Sequence, residues 1–129
     1  MGKVSKRIKL VRKLDKVFGD FIKARDKYRS VMSGSSDRIQ CGHVFTRSHY
    51  STRWDEKNAF AQTAGENMSH EDNAWPFYKW YQTQFGLNAF ETLYAKHHTT
   101  VKFKNADLED LIKKYEKKLK EEEFGEVLW

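Results

Sequence analysis

One cysteine, Cys41, is the tightest constraint on how this chain can fold. It rules out an internal disulfide and any multi-cysteine zinc site, the two staples on which small domains often rely. A chain of 129 residues must then be held by packing, as a single domain. Nine Phe, six Tyr and four Trp supply large apolar groups for a core. No apolar run is long enough to span a membrane, and the basic N-terminus lacks the apolar segment of a secretory signal. The reading is a cytoplasmic protein without a membrane partner.

Charge is distributed unevenly. Residues 1–29 hold 11 Lys/Arg against Asp15, Asp20 and Asp26, a local +8, whereas the other 100 residues have 13 Lys/Arg against 15 Asp/Glu, a local −2. A basic arm on a near-neutral body suits a polyanion binder, and also suits a solvated helix face kept soluble by lysines.

Periodicity predicts a mostly helical α+β domain. Ile8, Val11, Leu14, Phe18, Phe21 and Ile22 form one stripe of a helix from Ser5 to about Tyr28. "SVMSGSSD" (30–37) reads as a flexible loop. "RIQCGHVF" (38–45) and "NAFAQ" (58–62) read as the arms of an irregular hairpin joined by a polar connection. Helical sequence resumes at Asn67, and Pro76 divides a short turn from a helix over 76–85 that Gly86 stops. Asn88 and Glu91 in "NAFE" form a capping pattern for a helix to about Lys96. "TTVKF" (99–103) reads as extended. The last helix, 105–123, has Asn105 as its cap, an apolar face of Leu108, Leu111, Ile112, Tyr115 and Leu119, and the pairs Glu109–Lys113, Asp110–Lys114 and Glu116–Lys120.

Polar residues of chemical interest gather between the two predicted strands. His43 at a strand end, beside a divalent cation, has the chemistry to deprotonate water; alone, such a histidine is more often structural. The carboxamide oxygen of Asn67 suits a hard cation such as Mg²⁺, and Asn58 is placed to fix the loop that carries His43. Arg53 fits either a phosphate contact or a salt bridge to Asp55 or Glu56. His70, Glu71 and Asp72 are further candidates, though acids there also suit a helix macrodipole.

Gly42-His43, Arg47, His49, Arg53-Trp54-Asp55 and Asn58 in "GHVFTRSHYSTRWDEKN", followed by Gln62 and Asn67 in "AQTAGEN" and by "NAWPFYKWYQTQFG" (73–86), resemble the phage NinG recombination nucleases of the HNH, or ββα-metal, superfamily. The resemblance runs over roughly residues 8 to 120. It implies a ββα-metal core at 38–86, preceded by the basic helix (1–29) and the loop (30–37) and followed by C-terminal helices (87–129). It implies a metal-dependent DNA endonuclease of phage recombination, acting on branched DNA such as Holliday junctions, as a homodimer in the host cell.

The same resemblance implies roles. His43 activates water and has metal ligation as its other role, with His49 as a second catalytic histidine. Asn67 holds catalytic Mg²⁺ or Mn²⁺, and Asn58 orients the loop. Arg47 and Arg53 engage phosphate, together with Lys6, Arg7, Lys9, Arg12 and Lys13 of the arm. The family's cysteine pairs are missing: Thr63-Ala64-Gly65-Glu66 stands where one C-x-x-C belongs, and no cysteine lies in "YRSVMSGSSDRIQ". No structural zinc is expected, and Trp54, Phe60, Trp75, Phe77, Trp80, Tyr81 and Phe85 are expected to form a core instead. A non-catalytic DNA-binding or inhibitory protein on the same scaffold is the alternative, and a partner protein with an acidic surface is a third reading.

Overall fold

In a computed structural model describing residues 4–125, six helices surround one two-stranded hairpin. In chain order these are α1 (Lys6–Arg25), β1 (Ile39–His43), α2 (Tyr50–Arg53), β2 (Ala59–Thr63), α3 (Ala64–Asp72), α4 (Trp75–Phe85), α5 (Leu87–His97) and α6 (Asn105–Gly125). The mixed α+β class agrees with the sequence reading; the ends of the arm and of the C-terminal segment (1–3 and 126–129) lie outside the described residues.

α1 starts where the Ser5 hydroxyl accepts the Ile8 amide at 3.1 Å. It ends three residues before the expected Tyr28, because Lys27 and Tyr28 take positive φ of 61° and 56°. Its inner face (Leu14, Val17, Phe18, Phe21, Ile22) packs along Leu108, Ile112 and Tyr115 of α6. Burying such side chains contributes roughly 1.5–3 kcal/mol each. Ile8, expected in this stripe, is exposed instead. The expected i,i+4 pairs of α6 do not form among the described residues: Glu109 meets Lys6 at 3.1 Å, and Lys118 meets Glu56 at 3.0 Å. Nor does Asn105 cap α6. It is the helix's first residue and accepts from Arg7 at 3.4 Å, while Asp107 reaches back to the Lys104 amide at 2.7 Å.

β1 and β2 pair antiparallel, from Ile39 opposite Thr63 to His43 opposite Ala59. The connection between them is not wholly irregular, since it contains the single turn of α2. Arg25 ties α1 to this hairpin by donating to the carbonyls of Glu56 (2.9 Å) and Ala59 (2.7 Å). Asp26 adds a bond from the Ala61 amide at 2.8 Å.

α3 begins at Ala64, earlier than expected, because Thr63 and Glu66 form a reciprocal capping box. The Thr63 hydroxyl accepts the Glu66 amide at 3.1 Å, and Glu66 accepts the Thr63 amide at 2.8 Å. The stretch before Pro76 is therefore a nine-residue helix rather than a short turn. The Ser-rich segment is likewise held rather than loose: Ser30 is buried, its hydroxyl accepts from the amides of Met32 and Ser33, and the Val31 amide bonds Ala61. Ser30 and Ser33 also lie close enough to Glu66 to help hold its carboxyl below the ordinary range. The Glu66 carboxylate thus sits where the Ser-rich loop, β2 and α3 come together.

Pro76 sits in the first turn of α4, where its missing N–H costs nothing. Gly86, at φ 92°, separates α4 from α5, so Asn88 falls inside α5 and does not cap it. A second core joins Val44, Phe45 and Phe60 to Phe77, Tyr81 and Leu93. Trp54 belongs instead to the α1–α6 core. Two of the aromatics expected inside, Trp75 and Phe85, are exposed.

Candidate active site at the end of the hairpin

His43 closes β1 and lines a cavity of about 1150 Å³, together with Arg47, Asn67, His70 and Glu71. Its Nε2 lies 2.9 Å from the carbonyl oxygen of Arg53. A carbonyl can only accept, so Nε2 carries the proton and Nδ1 keeps its lone pair. Burial lowers the pKa of His43, and the Arg53 carbonyl only partly offsets this. The ring is therefore a neutral base at physiological pH.

Asn58 is fully buried and holds the loop from inside. Its oxygen accepts the Phe45 amide at 2.9 Å, and its nitrogen donates to the carbonyls of Phe45 (2.9 Å) and Thr52 (3.0 Å). Three bonds from one side chain fix both ends of the loop that begins at His43. Gly42 is required just before it. A Cβ there would meet Gln62 Oε1 at 1.9 Å, and Gln62 is itself buried.

On α3, Asn67, His70 and Glu71 stand at i, i+3 and i+4, so they share a face. Asn67 donates to Gln40 at 3.0 Å, and among the described residues no donor meets its oxygen. His70 bonds the Val44 carbonyl through Nε2 at 2.8 Å, which leaves its buried Nδ1 without a partner. A carboxamide oxygen and a carboxylate are donors that Mg²⁺ or Mn²⁺ accepts, whereas an imidazole nitrogen suits transition ions rather than Mg²⁺. Among the described residues, no three His, Cys, Asp or Glu side chains could hold an ion by themselves. Cys41 also lines the cavity, but burial pushes its thiol up to about 12, so it stays protonated and is a poor ligand.

The other sequence candidates lie elsewhere. His49 turns away, with Nδ1 2.7 Å from the His97 carbonyl and its ring stacked on His97 at 4.0 Å. Arg53 meets neither Asp55 nor Glu56. Its guanidinium grips Asp15 at 3.0 and 2.6 Å beside the Trp54 indole, so it is committed within the protein. Lys6 and Arg7 face α6. Lys9, Arg12 and Lys13 are exposed and have no carboxylate partner among the described residues, as does Arg47. Asp72 does not line the cavity.

Sequence reasoning missed Asp15, which receives Arg53 and the Trp54 Nε1 (2.9 Å) and so anchors the turn whose carbonyl holds His43. The signal was an acid within the most basic face of the chain. It also missed the cavity's aromatic side, where Trp75, Tyr78, Phe90 and Tyr94 join His97 and His98. No helix among the described residues is long and apolar enough to cross a membrane.

No curated protein and no solved structure matches the chain. A family model described as bacteriophage lambda NinG protein matches residues 2–124, and the chain belongs to that family of phage proteins associated with recombination.

Proposed function

We propose that the chain is a metal-dependent DNA endonuclease of the HNH type, acting on branched DNA in phage recombination. The observation that carries this reading is a neutral His43, its Nδ1 lone pair unspent, in the same cavity as Asn67 and Arg47. β1, β2 and α3 follow one another as hairpin and helix, and this supports a ββα core.

In this mechanism water gives its proton to His43 Nδ1, while the Arg53 carbonyl fixes the ring and stabilises the resulting imidazolium. Asn58 keeps the loop rigid so that the base stays in place. Arg47 holds the scissile phosphate, and the exposed Lys9, Arg12 and Lys13 hold neighbouring phosphates without regard to sequence. Asn67 and Glu71 would hold Mg²⁺ or Mn²⁺ through oxygen, with the His70 nitrogen as a further donor for Mn²⁺ alone; the ion would supply charge stabilisation at the phosphate and the leaving oxygen. His49 serves the scaffold by its bond to α5 rather than the chemistry.

The polar cluster of Ser30, Ser33, Thr63 and Glu66 takes the place of the family's cysteine pairs, so folding proceeds without structural zinc. A homodimer in the host cytoplasm suits a substrate with two equivalent strands. Incubating the protein with plasmid and with four-way junction DNA, in Mg²⁺, Mn²⁺ or EDTA, tests the proposal. Metal-dependent strand cleavage is expected. Tight binding with no cutting in any divalent metal would leave a DNA-binding protein on a retired nuclease scaffold.

A further inference from the structure

The cavity that holds His43 has a second side whose chemistry the hydrolysis does not use. Trp75 opens α4 and is 58% exposed, and Tyr94 on α5 is 53% exposed. Both line the cavity. Among the described residues the Trp75 ring meets no other aromatic ring, so one of the largest apolar side chains in the protein stands in solvent. Tyr94 is supported from behind, edge-on to Phe45 at 5.7 Å and to His98 at 4.5 Å. A supported ring with a free surface is a platform rather than a loose side chain.

The same cavity includes Arg47, exposed and with no carboxylate partner among the described residues. Arg12 stands one turn before Asp15 on α1, and Asp15 also lines the cavity. Cationic side chains that track phosphates, interleaved with free aromatic rings, are what a strand with unstacked bases requires. A fully paired duplex keeps its bases stacked inside and offers these rings nothing.

We infer that Trp75 and Tyr94 stack unpaired nucleobases of the DNA strand whose phosphate lies at His43 and Arg47. The preferred substrate is then DNA with splayed, unpaired nucleotides beside the scissile bond, such as a fork or an opened branch point. This rests on the DNA reading above but not on catalysis.

The test is equilibrium binding in EDTA by fluorescence anisotropy, using the full chain and three labelled DNAs: a duplex, the same duplex with unpaired arms, and that fork with abasic arms. The abasic fork keeps every phosphate and removes the bases. Wild type should bind the fork about ten-fold more tightly than the duplex, and the abasic fork should lose most of that gain. Trp75→Ala and Tyr94→Ala should each reduce fork affinity and spare duplex affinity, whereas Trp75→Phe should retain the preference.

Equal affinity for fork and duplex overturns the inference, as does a loss in the variants that is the same on all three DNAs. A change in sedimentation mass of Trp75→Ala also overturns it, because the ring would then belong to a contact between copies. Fork preference without cleavage in Mg²⁺ or Mn²⁺ would sink the nuclease reading and leave this one standing. No binding to any of the DNAs would end both.

Discussion

His43 Nε2 lies 2.9 Å from the carbonyl oxygen of Arg53, and the Arg53 guanidinium is clasped by Asp15 at 3.0 and 2.6 Å. The imidazole is thus aimed by a residue ten positions later, which is in turn anchored by one 38 positions earlier. His43→Ala should lower cleavage by about 10²–10⁴-fold and leave DNA affinity nearly unchanged. A gel-shift measured beside the cleavage assay separates the two effects, and a parallel loss of binding would show that His43 is a DNA contact instead.

The pH profile follows from burial. His43 titrates below its ordinary value of about 6.5, because burial disfavours the imidazolium. As pH falls, the folded protein keeps the base neutral to a lower pH than a free histidine would. The acid limb of kcat/KM should therefore fall below pH ~6.5. An inflection above that value would assign the limb to another group.

Asp15→Asn should cost about 2 kcal/mol of stability, since it removes the charge from bonds to Arg53 and Trp54. It should also lower kcat more than KM, because Asp15 reaches the chemistry only through the position of His43. Chemical denaturation and steady-state kinetics on the same preparation check both expectations. If kcat holds at normal levels in a destabilised variant, Asp15 is a fold residue alone.

Glu66 concentrates the polar cluster, so its replacement should be felt. Burial alone would raise its pKa, but bonds from Ser30, Thr63 and Ser33 outweigh this and hold it below the ordinary carboxylate range. A carboxylate whose folded pKa is depressed contributes stability that is complete above its unfolded value and is lost as pH falls through the folded one. Glu66→Ala should cost about 1–2 kcal/mol at neutral pH. Glu66→Gln keeps the capping reach, so it should cost less and flatten the acid limb of the stability curve. An unchanged acid limb would mean that other carboxylates govern it.

The convergence of Ser30, Ser33, Thr63 and Glu66 carries a further expectation. Replacing all four by cysteine should create a tetrahedral thiolate site that retains about one zinc per chain through dialysis, raising the melting temperature in a chelator-sensitive way. Metal analysis of the purified variant decides it. A variant that folds but holds no zinc would show that these four positions do not close around one point.

Much of this was legible beforehand because it depends on local rules. The α1 stripe from Leu14 to Ile22 and the α6 face from Leu108 to Leu119 follow helical spacing, and both pack into one core, with Leu111 and Leu119 at its margin. Asn58 was readable as a loop anchor, because a carboxamide between His43 and Asn67 is placed to bond the backbone of the loop. What stayed hidden depends on distance along the chain. Asp15 and Arg53 are 38 residues apart, and His49 meets His97 across 48. Nothing in local sequence ranks Asp15 above Asp55 or Glu56 as the partner of Arg53. The start of α3 was missed for a different reason: Thr63 and Glu66 were viewed as absences of cysteine, whereas their own chemistry is that of a helix cap.

β1 is shared between two interiors. Cys41 packs with the α1–α6 core, while Val44 and Phe45, just past the strand, belong to the core under α4 and α5. His43 stands at the seam. Changes in either core reach the imidazole through the same short stretch of chain, so tolerated changes among the large aromatics should come as compensating pairs that straddle it.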